Sequence, residues 1–420
     1  MTYTEALQFI HSVSWRGSMP GLSRITELCR RMGDPQRSLH CIHIAGTNGK
    51  GSTAAYLTAV LRAAGYKVGT FTSPYVRTFN ERIAIDGKPV SNYLLAKAVE
   101  AAKPHAEAME DRPTEFELIT AVGFEVFRRK KVDVVVLEVG LGGRYDSTNI
   151  ITAPLCSVIT GIAFDHVQLL GNTLSEIASE KAGIIKPARP TVTARLAPEA
   201  DAVIEAEAKK QGSPLSAVDP DRITVHADTL SGIVMDYKDR KNIRTALIGG
   251  YQPRNIALVC ETVDTLRRAG MEISEDALYS GIAAARWPAR FELLQKNPPV
   301  VFDGGHNEEG VRAAVETAKR VLGGKVAILT GVMEDKAYDT MAGMIAEIAE
   351  EVFTLKPDNP RAMEAEALAA VYAAHGVKAT ANDSIAAALQ AARNRAAERD
   401  LPLLILGSLY LYKDIYKHFS

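Results

Sequence analysis

The chain has 420 residues, with 47% hydrophobic and 24% charged side chains and a formal net charge of −1, a length that exceeds one ordinary core and suits two domains. The balanced charge offers no basic stripe for nucleic acid or a membrane surface, and no apolar run approaches the roughly 18 residues of a membrane span, so neither partner is expected. Four scattered cysteines (Cys29, Cys41, Cys156, Cys260) form no Cys-x-x-Cys pair, and with no leader-like N-terminus this predicts reduced thiols in a cytoplasmic protein rather than a disulfide frame or zinc site.

The first strong element is the apolar run Cys41-Ile42-His43-Ile44, which reads as a strand. It leads into Ala45-Gly46-Thr47-Asn48-Gly49-Lys50-Gly51-Ser52 and then a helical run over 53–64. A strand, a glycine-rich turn and a helix N-terminus make a phosphate cradle: glycines let backbone N–H groups turn onto an anion, and the helix dipole adds positive charge. Lys50 can reach the outer phosphates. The spacing departs from the common P-loop, because only Thr47 and Asn48 separate Gly46 from Gly49, and Gly51 stands before Ser52. Thr47, Asn48, Gly49, Lys50, Gly51 and Ser52 are therefore predicted to bind a nucleoside triphosphate.

Tyr66–Phe71, Val132–Val139, Leu155–Ile162 and Pro190–Ala194 predict further strands, and 116–130, 173–183 and 197–210 predict helices. The strands are short, continuous and β-branched, as in a parallel sheet covered on both faces, which is a doubly wound α/β architecture. Glu138 closes one strand ahead of Gly140-Leu141-Gly142-Gly143-Arg144-Tyr145-Asp146-Ser147-Thr148-Asn149. An acid at the carboxyl end of a central strand lies where α/β sheets place ligands, and in P-loop enzymes it helps hold Mg²⁺; a solvent-facing cap is the alternative. The Gly-x-Gly-Gly run does not read as a dinucleotide site, since no helix pattern follows. Asp165-His166 ends the next strand, where the imidazole is either structural or a metal ligand. Lys181 reads from its own context as a surface or capping lysine.

Residues 222–248 break the rhythm, with Arg222–His226, Gly232–Tyr237 and Ile243–Leu247 predicting a small antiparallel patch. Helices over 252–269 and 274–285 follow, then Arg286-Trp287-Pro288-Ala289-Arg290, a predicted hinge because Pro288 blocks helix continuation. The βα alternation then resumes with strands Val300–Phe302, Val326–Leu329, Val352–Leu355 and Leu403–Leu406 and helices 307–322, 336–349, 362–374 and 383–397. The expected organisation is a P-loop-type doubly wound ATP-binding domain over 1–287 and a smaller Rossmann-like α/β domain over 288–420, hinged about 286–292. In the latter, Asp303-Gly304-Gly305-His306-Asn307 is another strand–turn–helix end, with Asn307 as N-cap. The Arg290 fork suits phosphate oxygens.

Taken together, Gly46–Ser52, Phe71-Thr72-Ser73-Pro74, Asn80-Glu81-Arg82-Ile83, Glu138–Asn149, Asp165-His166, Lys181-Ala182-Gly183, Arg290-Phe291-Glu292 and Asp303–Asn307 closely resemble the folylpolyglutamate synthase/dihydrofolate synthase family of the Mur ligase superfamily. The resemblance runs in the same order from about residue 15 to the C-terminus. Gly-Thr-Asn-Gly-Lys is shared by the superfamily; Thr-Ser-Pro with Asn-Glu-Arg-Ile, and Glu-Val-Gly-Leu-Gly-Gly-Arg, mark the folate branch. The resemblance implies ATP on the 46–52 loop, with Asn255, Arg290 and Asp303 as further ATP contacts. It implies a first Mg²⁺ held by Ser73, Glu138 and His166, and a carbamylated Lys181 that helps hold a second. Lys50, His166 and Lys181 are thus the implied catalytic set.

Thr114, Glu115 and Phe116, with Tyr145, Asp146 and Ser147, match segments lining the family's pterin pocket, although Phe116 would also serve as helix core and Tyr145 as a surface aromatic. His306 and Ser408 fall where glutamate is expected. The implied substrates are dihydropteroate or a reduced folate, L-glutamate and ATP, and a monomer is expected. Two segments depart from the family pattern. Gly250-Tyr251-Gln252-Pro253-Arg254-Asn255 stands where Gly-x-His-Gln usually precedes the asparagine, and Asp-Gly-Gly-His-Asn stands for Asp-Gly-Ala-His-Asn. Two competing readings are a cell-wall Mur ligase acting on a UDP-linked sugar acid and a non-catalytic nucleotide switch. The folate-type segments, and the lack of a recognisable UDP-binding domain before residue 40, disfavour the first. The metal set with the second-domain Asp/His motif disfavours the second.

Overall fold

The chain opens with helices α1 (Tyr3–His11) and α2 (Ser23–Arg31), then enters β1 (Cys41–Ala45), a strand buried at every position. The computed structural model describes residues 1–13, 17 and 19–419. It divides into two units, Met1–Ile223 with Arg254–Ala285, and Thr224–Pro253 with Arg286–Ser420.

In the first unit, β1 is followed by α3 (Lys50–Ala63), β2 (Val68–Phe71), the short pair β3 (Ile83–Ile85) and β4 (Lys88–Pro89), α4 (Asn92–Glu107), α5 (Glu115–Lys130) and β5 (Val134–Glu138). The run continues with β6 (Cys156–Ile159), α6 (Val167–Leu170), α7 (Leu174–Ala182), β7 (Thr191–Thr193), α8 (Pro198–Lys210) and β8 (Leu215–Ala217). The strands form one sheet in the order β4-β3-β2-β5-β1-β6-β7-β8, parallel from β2 to β8, with β3 and β4 added antiparallel at one edge. Cys41, Val135 and Leu137 bury one face against Leu28, Leu95, Leu118 and Val122 from α2, α4 and α5. The chain leaves β1 toward β2 on one side and later toward β6 on the other. The carboxyl ends of β1, β5 and β6 therefore frame a topological switch point, the crevice where open α/β sheets bind ligands.

The second unit begins with β9 (Ile223–Thr229), β10 (Gly232–Tyr237) and β11 (Arg240–Thr245), a three-stranded sheet in the order β11-β10-β9. Helices α9 (Gln252–Arg268) and α10 (Glu275–Ala284) follow in the chain but belong, from Arg254 on, to the first unit. Then come β12 (Glu292–Gln295), β13 (Val300–Phe302), α11 (Glu308–Val321), β14 (Val326–Thr330), α12 (Tyr338–Ala346), β15 (Ala349–Thr354), α13 (Ala365–Ala374), β16 (Ala379–Ala381), α14 (Ile385–Arg399), β17 (Leu403–Leu406) and α15 (Tyr412–Tyr416). They build a sheet in the order β12-β13-β17-β14-β15-β16, parallel except for β12. Phe291, Val301, Val311, Ile328, Met341 and Tyr372 lie in its core.

The doubly wound expectation holds, with mixed rather than purely parallel sheets. The expected helix over 336–349 stops at Ala346, and the strand expected from Val352 starts at Ala349. Glu351 accounts for the difference: its buried carboxylate meets Lys378 at 2.8 Å and Arg395 at 2.6 Å, so a charge sits inside a strand. The helix expected from 53 starts at Lys50. Among the described residues no helix is long and apolar enough to cross a membrane, and all four cysteines are buried free thiols.

Candidate active site

The 46–52 loop joins β1 to α3. Gly49, at φ +91°, ends the loop as a left-handed N-cap, so Lys50 is already the first helical residue. A glycine cap has no side chain to satisfy the first turn, and the helix N-terminus presents its amides to an anion. Both flanks are tight: a Cβ on Gly46 would lie 1.8 Å from Thr160 Oγ1, and one on Gly49 would lie 2.8 Å from Asn255 Oδ1. The loop is stitched to the segment after β6. Thr47 N donates to Gly161 O (2.6 Å), Thr47 Oγ1 to Ala163 O (3.0 Å) and Thr160 Oγ1 to Asn48 O (2.7 Å). Lys50 Nζ folds back onto the loop carbonyls of Gly46 (2.9 Å) and Thr47 (3.1 Å). Asn255, expected as an ATP contact, lies against the loop at Gly49; Thr160 is an organiser that sequence reasoning missed. The strand expected over Leu155–Ile162 ends at Ile159, which frees Thr160 to turn onto the loop.

Glu138 ends β5 as a buried carboxylate, and Ser73 N donates to its Oε2 at 3.2 Å. His166 sits after β6 at φ +50°, half exposed, its backbone N–H donating to Asp165 Oδ1 at 3.0 Å. Among the described residues no three His, Cys, Asp or Glu side chains gather as a metal cluster. The expected set has just two of these types, Glu138 and His166, with a hydroxyl and a lysine completing it. Its hard oxygen donors and one imidazole are chemically compatible with Mg²⁺.

Lys181 lies in the last turn of α7 and is only 2% exposed. Burial first, and then the charge of Lys50, push its ammonium down to about 7, while Asp165 and Glu180 pull the other way. These four charges therefore share one neighbourhood. The loop after Glu138 lies backbone to backbone on the end of α7. A Cβ on Gly183 would fall 2.4 Å from Arg144 Cα, one on Gly143 would fall 2.7 Å from Glu180 O, and Arg144 N donates to Glu180 O at 2.8 Å.

The predicted pterin segments meet in this unit. The Phe116 ring packs on Gly140, where a Cβ would come within 2.4 Å of Cζ, and lies edge-on to Phe71 with centroids 6.0 Å apart. Thr114 caps α5 in a reciprocal box with Glu117, whose carboxylate also takes Arg24 Nε at 3.0 and 3.1 Å. Glu115 Oε2 lies 3.2 Å from His11 Nδ1. Tyr145 is 53% exposed, whereas Asp146 and Ser147 are buried. Asp146 Oδ2 accepts from Gly140 N (3.0 Å) and Leu141 N (2.9 Å), and its Oδ1 from Thr148 N (3.0 Å) and Oγ1 (2.5 Å). Its carboxylate organises the turn.

In the second unit, buried Asp303 Oδ1 accepts from Gly305 N (2.7 Å), and its Oδ2 from Phe291 N (2.8 Å) and, weakly, from Tyr251 OH (3.4 Å). Burial raises its carboxyl pKa, and the Arg290 charge opposes that rise. Ala289 (φ +59°) and Phe291 (φ +42°) flank Arg290 in left-handed backbone. Glu292 Oε2 takes Ala289 N and Tyr412 OH, both at 2.8 Å, and so holds the elbow. Sequence reasoning missed that role of Glu292. A Cβ on Gly304 would lie 2.6 Å from Arg290 Nη1 and 2.2 Å from Leu409 Cδ2. His306 Nδ1 lies 3.2 Å from Gly304 O, and Ser408 Oγ accepts from Tyr410 N at 3.2 Å. Arg290, Asp303, His306 and Ser408 therefore share one sheet end, and the unexpected Tyr251 points its hydroxyl at Asp303.

A glycine-capped loop at the switch point of a doubly wound sheet, followed by a second α/β unit, defines a P-loop-type α/β protein. Residues 44–263 match the Mur ligase middle domain and residues 289–409 the Mur ligase glutamate ligase domain. The chain belongs to the dihydrofolate synthase/folylpolyglutamate synthase family of Mur ligases. It is 40% identical over 428 residues to the dihydrofolate synthase/folylpolyglutamate synthase of Bacillus subtilis, covering 99% of this chain and 98% of that one. The structure of Mycobacterium tuberculosis folylpolyglutamate synthase complexed with ADP and AMPPCP superposes with a TM-score of 0.90 at 29% identity, covering 100% of this chain and 99% of the other. An FPGS–AMPPCP–folate complex does so with a TM-score of 0.85 at 34% identity, again covering 100% and 99%.

Proposed function

We propose that this chain is an ATP-dependent ligase that joins L-glutamate to dihydropteroate or to a reduced folate, releasing ADP and phosphate. One observation carries the reading. The anion-cradling loop, the Glu138 carboxylate and the Phe116/140–148 acceptor segment converge on the switch point of a single sheet. A relative's complex with AMPPCP and folate supports the same pairing of ligands.

A carboxylate oxygen of the acceptor attacks the γ-phosphorus of ATP, and ADP leaves. The product is an acyl phosphate. The amine of glutamate then attacks the acyl carbon, phosphate departs with the bonding pair, and the nitrogen loses a proton to leave an amide. Lys50 and the amides at the start of α3 stabilise the charge on the transferring phosphoryl group. Ser73, Glu138 and His166 would hold Mg²⁺, which when bound adds positive charge beside the phosphates. We propose that Lys181 is carbamylated and supplies a further carboxylate. Its depressed pKa of about 7 leaves part of the amine neutral near neutral pH, and the neutral amine is the form that adds to carbon dioxide, with loss of a proton. Asn255, Arg290 and Asp303 serve ATP, and His306 and Ser408 serve glutamate. The chain acts as a cytoplasmic monomer.

The test is ADP release by purified protein with Mg²⁺-ATP and L-glutamate, comparing 7,8-dihydropteroate, a reduced folate monoglutamate and no acceptor. Release with both acceptors establishes a bifunctional enzyme, and release with one assigns the chain to that step. Release independent of any acceptor overturns the folate reading.

A further inference from the structure

A buried polar chain runs from the nucleotide-binding strand to the acceptor turn, and neither His43 nor Thr148 within it takes part in the ligation steps. His43 lies in the middle of β1, between Leu137 of β5 and Ser157 of β6 in register, and is fully buried. Its Nε2 lies 2.8 Å from Thr148 Oγ1. Thr148, also fully buried, gives its hydroxyl proton to Asp146 Oδ1 at 2.5 Å. Four donors meet the Asp146 carboxylate, two on each oxygen. A protonated carboxyl would face one of them with its own hydrogen, so the ionised form fits this nest. The Thr148 proton is thereby committed, its lone pairs face His43, and His43 must donate from Nε2.

His43 Nδ1 is then an unprotonated acceptor, and it is buried without a hydrogen-bond partner among the described residues. An orphaned polar atom in a central parallel strand costs stability, and an apolar side chain there would avoid that cost. Packing therefore gives no reason for a histidine at this position; directional anchoring of Thr148 does.

We propose that His43 and Thr148 are positioning residues for the acceptor pocket. The His43–Thr148–Asp146 chain locks the 140–148 turn, and with it the Gly140 floor under Phe116, onto β1. The pterin-bearing acceptor is thus set in register with the nucleotide loop at the end of the same strand. This inference rests on the folate reading for its substrate and on geometry alone for its anchor.

The variants are Thr148→Val and His43→Leu, which remove the link, and Thr148→Ser and His43→Gln, which keep a hydroxyl and a terminal N–H donor. Small misplacements of a reacting group cost up to about a hundredfold. The first pair is expected to raise KM for the pterin acceptor by about tenfold or more with KM for ATP within about twofold. The second pair should stay within about threefold of wild type for both. Amide hydrogen exchange over 140–148 should quicken in the first pair while exchange over 41–63 stays unchanged. Equal changes in both KM values, or unaltered exchange over 140–148, would overturn the proposal. If the wild-type chain shows no acceptor-dependent ADP release, the folate reading fails while the exchange result still decides the anchor.

Discussion

His43 makes the clearest residue-scale claim about pH. Burial, helped by the Lys186 charge, holds its imidazole down to about 3 from an ordinary 6.5. In the unfolded chain it titrates normally, so between about pH 6.5 and 3 the unfolded state binds a proton that the native state does not. Stability from this residue is therefore complete above about 6.5 and falls as the pH drops, by up to about 1.4 kcal/mol per pH unit. Comparing urea midpoints of wild type and His43→Gln from pH 7 to 5 should show a smaller acid loss in the variant. Parallel curves would mean that His43 is not buried neutral. Lys50 is a different kind of residue, because its Nζ rests on carbonyls of the nucleotide loop itself. Lys50→Ala should abolish ADP release with an unfolding midpoint close to wild type. More than about a tenth of wild-type turnover would leave under about 1.4 kcal/mol of transition-state stabilisation to this lysine.

Among the elements, the carboxyl ends of strands carry the site, and the continuous apolar strands were the easiest to read. β1, β5, β6 and β17 stand out as β-branched or leucine-rich runs, and the acids and glycines after them mark where a ligand would lie. The edges were not legible. β3, β4, β8, β12 and β16 are two to four residues long, and their pairing depends on neighbours distant in sequence. The helices α1, α2 and α4 also escaped, although Thr2 with Glu5 forms a capping box and Ser91 caps α4. The packing of the 140–149 loop against α7 is likewise invisible locally, since Gly143 and Gly183 matter through each other's neighbours. Gly183→Ala tests that contact. Its Cβ would meet Arg144 Cα at 2.4 Å, and backbone cannot step aside as a side chain can. The variant should lose about 1–3 kcal/mol of stability, as overpacked sites do. It should also lose ligase activity well beyond what that destabilisation explains. A variant with wild-type turnover would show that the loop and α7 need not touch for function.

For the whole molecule, chain connectivity makes the stronger prediction. The chain passes between units at 223/224, 253/254 and 285/286, so the three-stranded sheet of β9–β11 is encoded inside the first unit's sequence but packs with the second. Asp228 pairs with Arg320 at 2.9 Å, Gly250 N donates to Thr317 Oγ1 at 3.1 Å, and Ile248 is buried in the core built around Val301, Val315 and Ile328. No pattern within 222–248 announces those partners, because each lies tens of residues downstream and becomes a neighbour through folding. A fragment ending at residue 285 would strand this segment: Ile248 would lose its core and Asp228 its arginine. The expected result is a fragment that aggregates or binds a hydrophobic dye strongly, despite containing the entire nucleotide loop. Replacing residues 224–253 in that fragment with a short Gly/Ser linker should restore a cooperative unfolding transition and ADP-dependent thermal stabilisation, since the 46–52 loop, Thr160 and Asn255 all remain. If the unmodified 1–285 fragment is instead monomeric, dye-silent and cooperative, the sheet of β9–β11 holds itself together, and the Asp228 and Ile248 contacts are dispensable.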